Sequence, residues 1–277
     1  MSEGSQPIGI FDSGMGGLTV MRALMARLPN ESFIYLGDTA RLPYGTKSGD
    51  TVTRYAVQAA SALMRRRVKL VVVACNTASA VALPALGAAL APMPVIGVVE
   101  PGAEAAVAAA PLGPIAVIAT EGTVKGGAYR RAIHALAPDI SVIQQACPLF
   151  VPIAEEGLTD SPIAQLAAEL YLGALFDPAA NRPRTLVLGC THFPVLKDVI
   201  ARVAGPDVIL VDSAATTADA VAKLLAEKEL ARGDRTTPRR EFLATDSVER
   251  FARVGQIFLG RAIAPDSVEL VDLQDAG

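Results

Sequence analysis

The stretch Val-Val-Val-Ala-Cys-Asn-Thr at residues 71–77 decides the fold class. An uninterrupted β-branched run is typical of a strand buried on both faces, and the polar residues after it are typical of a helix start. Similar runs alternate along the chain with amphipathic or alanine-rich stretches. Strands are predicted at residues 8–11, 33–36, 70–74, 95–99, 115–119, 141–145, 185–188, 208–211 and 241–244. Helices are predicted at residues 17–28, 48–67, 77–90, 102–109, 123–136, 163–176, 195–203, 214–231 and 247–259. This alternation predicts an α/β protein with parallel sheets flanked by helices.

A weaker copy of this stretch, Leu-Val-Leu-Gly-Cys-Thr-His, stands at residues 186–192. The two copies are separated by about the length of one domain. We therefore predict two pseudo-symmetric α/β domains that face each other across a cleft holding the active site, with one cysteine on each wall. The first domain comprises residues 1–98 and 207–277 and carries Asp12 and Cys75. The second comprises residues 99–206 and carries Cys190 and His192.

The composition predicts a folded protein and disfavours several functional classes. The chain has 277 residues, of which 51% are hydrophobic and 19% charged, so it can bury a large core. A net charge of −3 disfavours a nucleic-acid binder, and three cysteines disfavour a disulfide scaffold. No apolar run reaches the roughly 20 residues that cross a membrane, and the polar N-terminus does not resemble a signal peptide. We expect a cytoplasmic protein without a membrane segment.

Most of the unusual polar residues stand at or just after the end of a predicted strand. Because parallel sheets bind ligands at the carboxyl ends of their strands, this clustering is the main functional signal. Asn76, Thr77 and Thr191 lie beside cysteines and are predicted to contact a ligand through their side chains. Tyr44 and Gly45 are predicted to offer backbone N–H groups to it.

The glycines after the first strand do not form a nucleotide motif. Thr19 stands where G-x-G-x-x-G needs its last glycine, and residues 45–48 lack the glycine before the lysine of a P-loop. The same glycines do allow backbone N–H groups to approach an anionic ligand such as a carboxylate.

Cys75 and Cys190 are the candidate acid–base groups. Each opens a helix, where the N-terminal dipole lowers the pKa of a thiol from about 8.5 and favours some thiolate near neutral pH. Cys147, within Ala-Cys-Pro, is typical of a small buried hydrophobe. A zinc site would have to recruit Cys75, Cys190, His192 and His134, but two isolated cysteines lack the C-x-x-C pairing typical of zinc.

Asp12 and His192 are candidates for holding a proton near the two thiols. The ordinary pKa of histidine is near neutrality, and burial beside a charged substrate can raise that of an aspartate. Thr123 is predicted to cap a helix. Glu155 and Glu156 follow an apolar run and are predicted to lie in a solvated turn.

Together these segments resemble the glutamate racemase family, whose members make D-glutamate for peptidoglycan without a cofactor. The matching segments are Ile10-Phe11-Asp12-Ser13-Gly14, Gly37-Asp38-Thr39-Ala40-Arg41-Leu42-Pro43-Tyr44-Gly45, Ala74-Cys75-Asn76-Thr77-Ala78, Glu100-Pro101-Gly102, Ala119-Thr120-Glu121-Gly122-Thr123 and Gly189-Cys190-Thr191-His192-Phe193-Pro194. They occur in order between about residue 8 and residue 194.

The resemblance implies a cofactor-independent, metal-free racemase with glutamate enclosed between its two domains. It implies Cys75 and Cys190 as the two bases, with Cys75 serving the D-isomer and Cys190 the L-isomer, and Asp12 and His192 as assisting groups. It also implies a homodimer, and some members of the family are activated by a cell-wall precursor. The substrate-binding residues are predicted to be Asp12, Ser13, Pro43, Tyr44, Gly45, Asn76, Thr77, Thr120, Thr191 and His192.

Three other functions stay open at this point. One is a related two-cysteine racemase for aspartate or another small amino acid, because sequence spacing does not measure pocket depth. Another is a binding or regulatory protein that keeps the fold without turnover. The third is a zinc or redox protein built on the same cysteines.

Overall fold

The chain forms two parallel β-sheets flanked by helices, which confirms the predicted α/β class. The structure is a computed structural model that describes residues 3–110, 113–177, 182–233 and 236–273. The strands in these ranges are β1 (Ile8–Asp12), β2 (Phe33–Gly37), β3 (Leu70–Val73), β4 (Val95–Gly97), β5 (Ile115–Ala119), β6 (Val142–Ala146), β7 (Thr185–Gly189), β8 (Ile209–Asp212), β9 (Arg240–Ala244) and β10 (Val268–Leu270). The first sheet has the order β10-β9-β2-β1-β3-β4 and the second the order β6-β5-β7-β8.

Helices connect most of the strands, as parallel pairing requires. They are α1 (Leu18–Arg27), α2 (Gly49–Arg65), α3 (Asn76–Leu90), α4 (Val99–Ala109), α5 (Glu121–Gly126), α6 (Ala128–Leu136), α7 (Phe150–Glu155), α8 (Pro162–Leu172), α9 (Lys197–Ala204), α10 (Ser213–Glu227) and α11 (Val248–Leu259). The single helix predicted at residues 123–136 is divided into α5 and α6, because Gly127 adopts a left-handed conformation (φ 63°) that ends α5. The elements α7 and β10 were not predicted, since they are too short to show a periodic pattern.

The chain crosses from the first sheet to the second after β4, where α4 packs against β7. The predicted return to the first half at residue 207 is wrong. Strand β8 pairs with β7, in the register Thr185↔Ile209, and therefore belongs to the second sheet. The chain rejoins the first sheet only at β9, and α10 packs against α1 on one side and α4 on the other.

The central strands of both sheets are buried and form a rigid base for the loops at their carboxyl ends. Every residue of β1, β2, β5 and β7 is buried, as expected for parallel strands covered on both faces. One cluster of buried side chains spans both sheets and includes Ile10 and Val72 from the first and Ile118 and Leu188 from the second. The carboxyl ends of the two sheets are therefore held against a shared core.

Lys69 is a buried cation that ties together three distant parts of the chain. Its Nζ donates to Glu31 Oε2 (2.6 Å) and to the carbonyl oxygens of Gly4 (2.7 Å) and Leu230 (2.8 Å).

Lys69→Met leaves the buried Glu31 carboxylate without its cation, so we expect the free energy of unfolding to fall by about 3–5 kcal/mol. Urea unfolding followed by circular dichroism measures this loss. The double variant Lys69→Met/Glu31→Gln removes the unpaired charge and should recover part of it. A loss below about 1 kcal/mol in the single variant would mean that the pair behaves like an exposed one.

Candidate active site

Asp12 ends β1 and is almost completely buried, with 1% of its surface exposed. Its Oδ2 accepts hydrogen bonds from the backbone N–H of Gly14 (3.0 Å) and from the hydroxyl of Tyr35 (3.3 Å). Its Oδ1 is buried and has no hydrogen-bond partner among the described residues. Burial raises the pKa of Asp12 above its ordinary value, although the charge of His192 acts in the opposite direction. This carboxylate therefore has one oxygen fixed and one available.

Cys75 follows β3 and occupies the N-cap position of α3. Its Sγ lies 3.5 Å from Ser13 Oγ, and 5% of its surface is exposed. The prediction that the helix start lowers the pKa of this thiol is wrong. Burial and the nearby charge of Asp12 raise the pKa of Cys75 to about 12, outweighing the effect of the hydrogen bond between Cys75 and Ser13. Desolvation therefore dominates over the helix dipole, and Cys75 is a thiol at neutral pH.

Cys190 follows β7 and has a very different neighbour, the imidazole of His192. The Sγ of Cys190 lies 3.8 Å from His192 Nδ1, and His192 Nε2 lies 3.1 Å from Glu155 Oε1. Burial lowers the pKa of His192, but the hydrogen bonds and charges of Cys190 and Glu155 outweigh it and raise the pKa to about 10. His192 is therefore a cation at neutral pH, held between two groups that favour its charge.

Glu155 is a site residue that the sequence analysis placed wrongly. It was predicted to lie in a solvated turn, but it ends α7 and its side chain is only 12% exposed because it packs against His192. No local motif marks it. The short helix α7 carries it to the site, and that helix was itself not predicted.

A group of threonine hydroxyls joins the starts of α3 and α5. Thr77 Oγ1 lies 3.1 Å from Thr120 Oγ1 and 3.2 Å from Thr123 Oγ1. Thr120, not Thr123 as predicted, is the N-cap of α5 and accepts from the backbone N–H of Thr123. Asn76 Oδ1 accepts from the hydroxyl of Tyr129 (2.7 Å), whereas Asn76 Nδ2 is buried without a partner among the described residues. These contacts run from the edge of the first sheet to that of the second.

The turn at residues 44–46 carries two of the predicted substrate-binding residues, Tyr44 and Gly45. The hydroxyl of Tyr44 donates to the buried carboxylate of Asp38, so the ring anchors the turn. The carbonyl of Pro43 accepts from Thr46. A side chain on Gly45 would press against Thr120, so glycine is needed for this close approach.

The loop at residues 190–192 fits tightly against the start of α1. The carbonyl of Thr191 accepts from Thr19 Oγ1 (2.9 Å), a buried hydrogen bond between the two halves of the chain. A Cβ on Gly16 would overlap the imidazole of His192 and would also crowd Thr191. Gly16 therefore makes room for the second half of the chain rather than for a nucleotide.

The turn after β1 links the surroundings of the two buried thiols. Ser13 in this turn contacts Cys75 (3.5 Å), and Gly16 lies against His192, whose Nδ1 faces Cys190. Cys190 is 6% exposed and His192 8%. Cys147 is fully buried, as predicted for a small hydrophobe. Within the described ranges no group of three His, Cys, Asp or Glu side chains is arranged to hold a metal ion.

Comparison with known proteins gives one consistent family. The profile of the Asp/Glu/hydantoin racemase family matches residues 15–221. The chain is 52% identical to the glutamate racemase of Geobacter metallireducens, over 91% of this chain and 92% of that protein. It superposes on glutamate racemase from Francisella tularensis in complex with D-glutamate with a TM-score of 0.90 and 38% identity, covering 98% and 99% of the two chains. Escherichia coli glutamate racemase, in complex with L-glutamate and the activator UDP-MurNAc-Ala, gives a TM-score of 0.78 and 31% identity over 96% and 98%.

Proposed function

The chain belongs to the Asp/Glu/hydantoin racemase family, and on that premise we propose that it interconverts L- and D-glutamate with Cys75 and Cys190 as its two acid–base groups. It is an amino-acid racemase, and relatives that match nearly the whole chain at 47–52% identity are glutamate racemases. One observation carries the two-base assignment. A thiol stands at the carboxyl edge of each sheet, and the turn after β1 reaches the surroundings of both, through Ser13 at Cys75 and Gly16 at His192.

Racemisation removes the α-proton from one face of the carbon and returns a proton to the other face. By family resemblance, Cys190 serves the L-isomer. Its thiolate takes the α-proton of L-glutamate, so the C–H bond breaks, an S–H bond forms, and the electron pair is delocalised into the α-carboxylate. The thiol of Cys75 then protonates the opposite face, which yields D-glutamate and leaves a thiolate on Cys75. The reverse reaction uses the same groups with their roles exchanged.

The neighbours of the two sulfurs support this division of roles. The His192 cation lies against Cys190 and favours a negative charge on that sulfur. Cys75 lies near the carboxylate of Asp12, and its raised pKa keeps it protonated. The two sulfurs therefore have opposite surroundings, a cation beside Cys190 and a carboxylate near Cys75, and a two-base reaction needs such a difference between its base and its acid.

Two buried polar atoms without partners among the described residues are suited to the substrate. Asp12 Oδ1 is an acceptor for the α-ammonium group, and Asn76 Nδ2 is a donor for a carboxylate. Donors directed at the α-carboxylate would stabilise the negative charge that develops when the proton leaves. The other substrate-binding residues that we propose are Ser13, Pro43, Tyr44, Gly45, Thr77, Thr120, Thr191 and His192.

We expect kcat/KM for glutamate to exceed that for aspartate by at least about tenfold, because one methylene in a fitted pocket changes it by roughly 10- to 200-fold. Circular dichroism of each amino acid, with chelator and without pyridoxal phosphate, measures both values. Equal or faster turnover of aspartate would favour the aspartate racemase alternative. Binding of glutamate without turnover would favour a regulatory protein, and loss of activity in chelator would favour a metalloenzyme.

We further propose a cytoplasmic homodimer that supplies D-glutamate for peptidoglycan. Ile163, Leu166 and Leu170 lie along one side of α8, and each is more than half exposed, so a second copy of the chain has an apolar surface to cover. Light scattering of the purified protein measures its mass.

A muramyl-peptide precursor is the activator to add to the assay, since the Escherichia coli relative binds one. In the described part of the chain, no helix is both long and apolar enough to span a bilayer.

A further inference from the structure

Helix α11 contacts His192 and its partner Glu155 from the opposite half of the molecule. This helix follows β9 of the first sheet and packs against α1, whereas Glu155 and His192 follow strands of the second sheet. Phe258 packs edge-on against the imidazole of His192, with ring centroids 4.9 Å apart. Arg250 lies eight residues earlier on α11, a spacing that returns to a similar side of a helix. One helix therefore contacts both partners, His192 through Phe258 and Glu155 through Arg250.

Arg250 binds the carboxylate oxygen of Glu155 that His192 leaves unused. Its Nη2 donates to Glu155 Oε2 at 2.9 Å, while Oε1 faces His192 Nε2 at 3.1 Å. Both oxygens of Glu155 are thus bound, and the plane of the carboxylate is fixed relative to the imidazole ring. The hydrogen bond at one ring nitrogen of a histidine sets the orientation and proton of the other, which here faces Cys190.

This ion pair differs from an ordinary surface pair. Exposed pairs contribute little, because water screens them and two long side chains must be ordered. The Glu155 side chain is 12% exposed and that of Arg250 37%, and the acid is shared with a buried histidine. Burial raises the pKa of Glu155, but His192 and then Arg250 lower it below its ordinary value. Arg250 therefore helps to keep Glu155 an anion in a buried place.

We propose that Arg250 is a positioning residue, which orients Glu155 so that His192 remains charged and aligned on Cys190. The inference rests on the proposed two-cysteine reaction and extends it, because the base that serves L-glutamate is then prepared by a helix from the other half of the chain. The groups that act on His192 are Cys190 on its own loop, Glu155 on α7 and Asp12 at the end of β1, with Arg250 on α11 behind Glu155.

The direction of one pH shift separates positioning from simple charge repulsion. If Arg250 acted on His192 only as a nearby positive charge, removing it would make His192 hold its proton more tightly. If Arg250 orients Glu155, removing it weakens the hydrogen bond to His192, and His192 loses its proton at lower pH. We expect the second result, with a decrease of about one pH unit, the size typical of one charge-assisted hydrogen bond.

The test is an NMR titration of protein labelled with ¹⁵N-histidine. The chain has two histidines, so His134→Gln identifies the signals of His192. In Arg250→Met we expect His192 to lose its proton at lower pH than in the native chain, where its pKa is about 10. Arg250→Lys keeps a donor and a charge and should lie in between. Arg253→Met removes an exposed arginine of the same helix and should change nothing. Arg250→Gln replaces Arg250→Met if the latter does not fold.

Kinetics supply the second readout. We expect kcat in Arg250→Met to fall by about tenfold while KM changes by less than about threefold, because the substrate itself is not contacted. An unchanged or upward-shifted His192 titration in Arg250→Met, or in Arg250→Gln where that variant replaces it, would overturn the proposal. If the native protein turned over no glutamate, the proposed function would fail, but the histidine titration would still report on Arg250.

Discussion

Replacement of Cys75 or Cys190 by serine is expected to lower kcat for glutamate racemisation by about 10³-fold, the contribution typical of a well-placed acid or base. A hydroxyl gives up its proton far less readily than a thiol, so serine cannot act as the base and is a weak acid at the other face. Both groups act in each direction, so either substitution should slow both. Circular dichroism with each pure enantiomer measures the two rates.

Cys147→Ala is the matched control for the two serine variants. Cys147 is fully buried, and burial raises its pKa to about 12, yet it has no place in the proton transfer. We expect its kcat to stay within about threefold of the native value. Near-native turnover in both directions by either serine variant would rule out the two-base assignment.

Loss of His192 should be the next most damaging change. In His192→Gln the amide can still bond to its neighbours but carries no charge, so nothing offsets a negative charge on Cys190. We expect kcat to fall by about 10²-fold.

Because the pKa of His192 is raised to about 10, the native enzyme should keep this cation at neutral pH and lose activity as the pH rises through about 10. His192→Gln should lack that alkaline decrease.

The other histidine provides the control for this variant. His134 is half-buried on α6, and its Nε2 lies 3.1 Å from the carbonyl of Ile140, away from both thiols. His134→Gln should therefore retain the native kcat and the native loss of activity at alkaline pH. A His192→Gln enzyme within threefold of the native rate would contradict the role given to the imidazolium.

The same raised pKa links His192 to stability. A histidine that holds its proton more tightly in the folded chain than in the unfolded one stabilises the fold fully below its unfolded pKa, near 6.5. That contribution disappears as the pH rises through about 10. The stability and the activity that depend on this cation should therefore decline over the same alkaline range.

The sequence predicts the central strands of the sheets well because they are buried on both faces. An uninterrupted β-branched run such as residues 71–73 leaves little ambiguity, and the polar residues after each run mark the binding edge. Which of the two sheets a strand joins is not encoded in the strand's own sequence. Residues 208–211 form a strand as predicted, yet only the pairing with β7 decides that they extend the second sheet.

The site was harder to predict where a side chain acts through distant contacts. Glu155 looks like a solvated acid from its neighbours in sequence, and only the packing of α7 brings it to His192. The pKa of Cys75 was predicted in the wrong direction, because sequence shows a helix start but not the depth of burial. Local motifs therefore indicate candidate site residues, whereas the fold determines their charge.

The most direct test of two-sided proton transfer incubates L-glutamate with the enzyme in D₂O, with chelator and without pyridoxal phosphate. The two enantiomers are then separated by chiral chromatography, and proton NMR measures the α-proton of each. We expect newly formed D-glutamate to carry deuterium at the α-carbon from the first turnovers, while unreacted L-glutamate keeps its proton. That result means that one group removes the proton and another, already exchanged with solvent, supplies the new one. D-glutamate that retains the substrate's own α-proton, or no conversion at all, would contradict the assignment of Cys75 and Cys190.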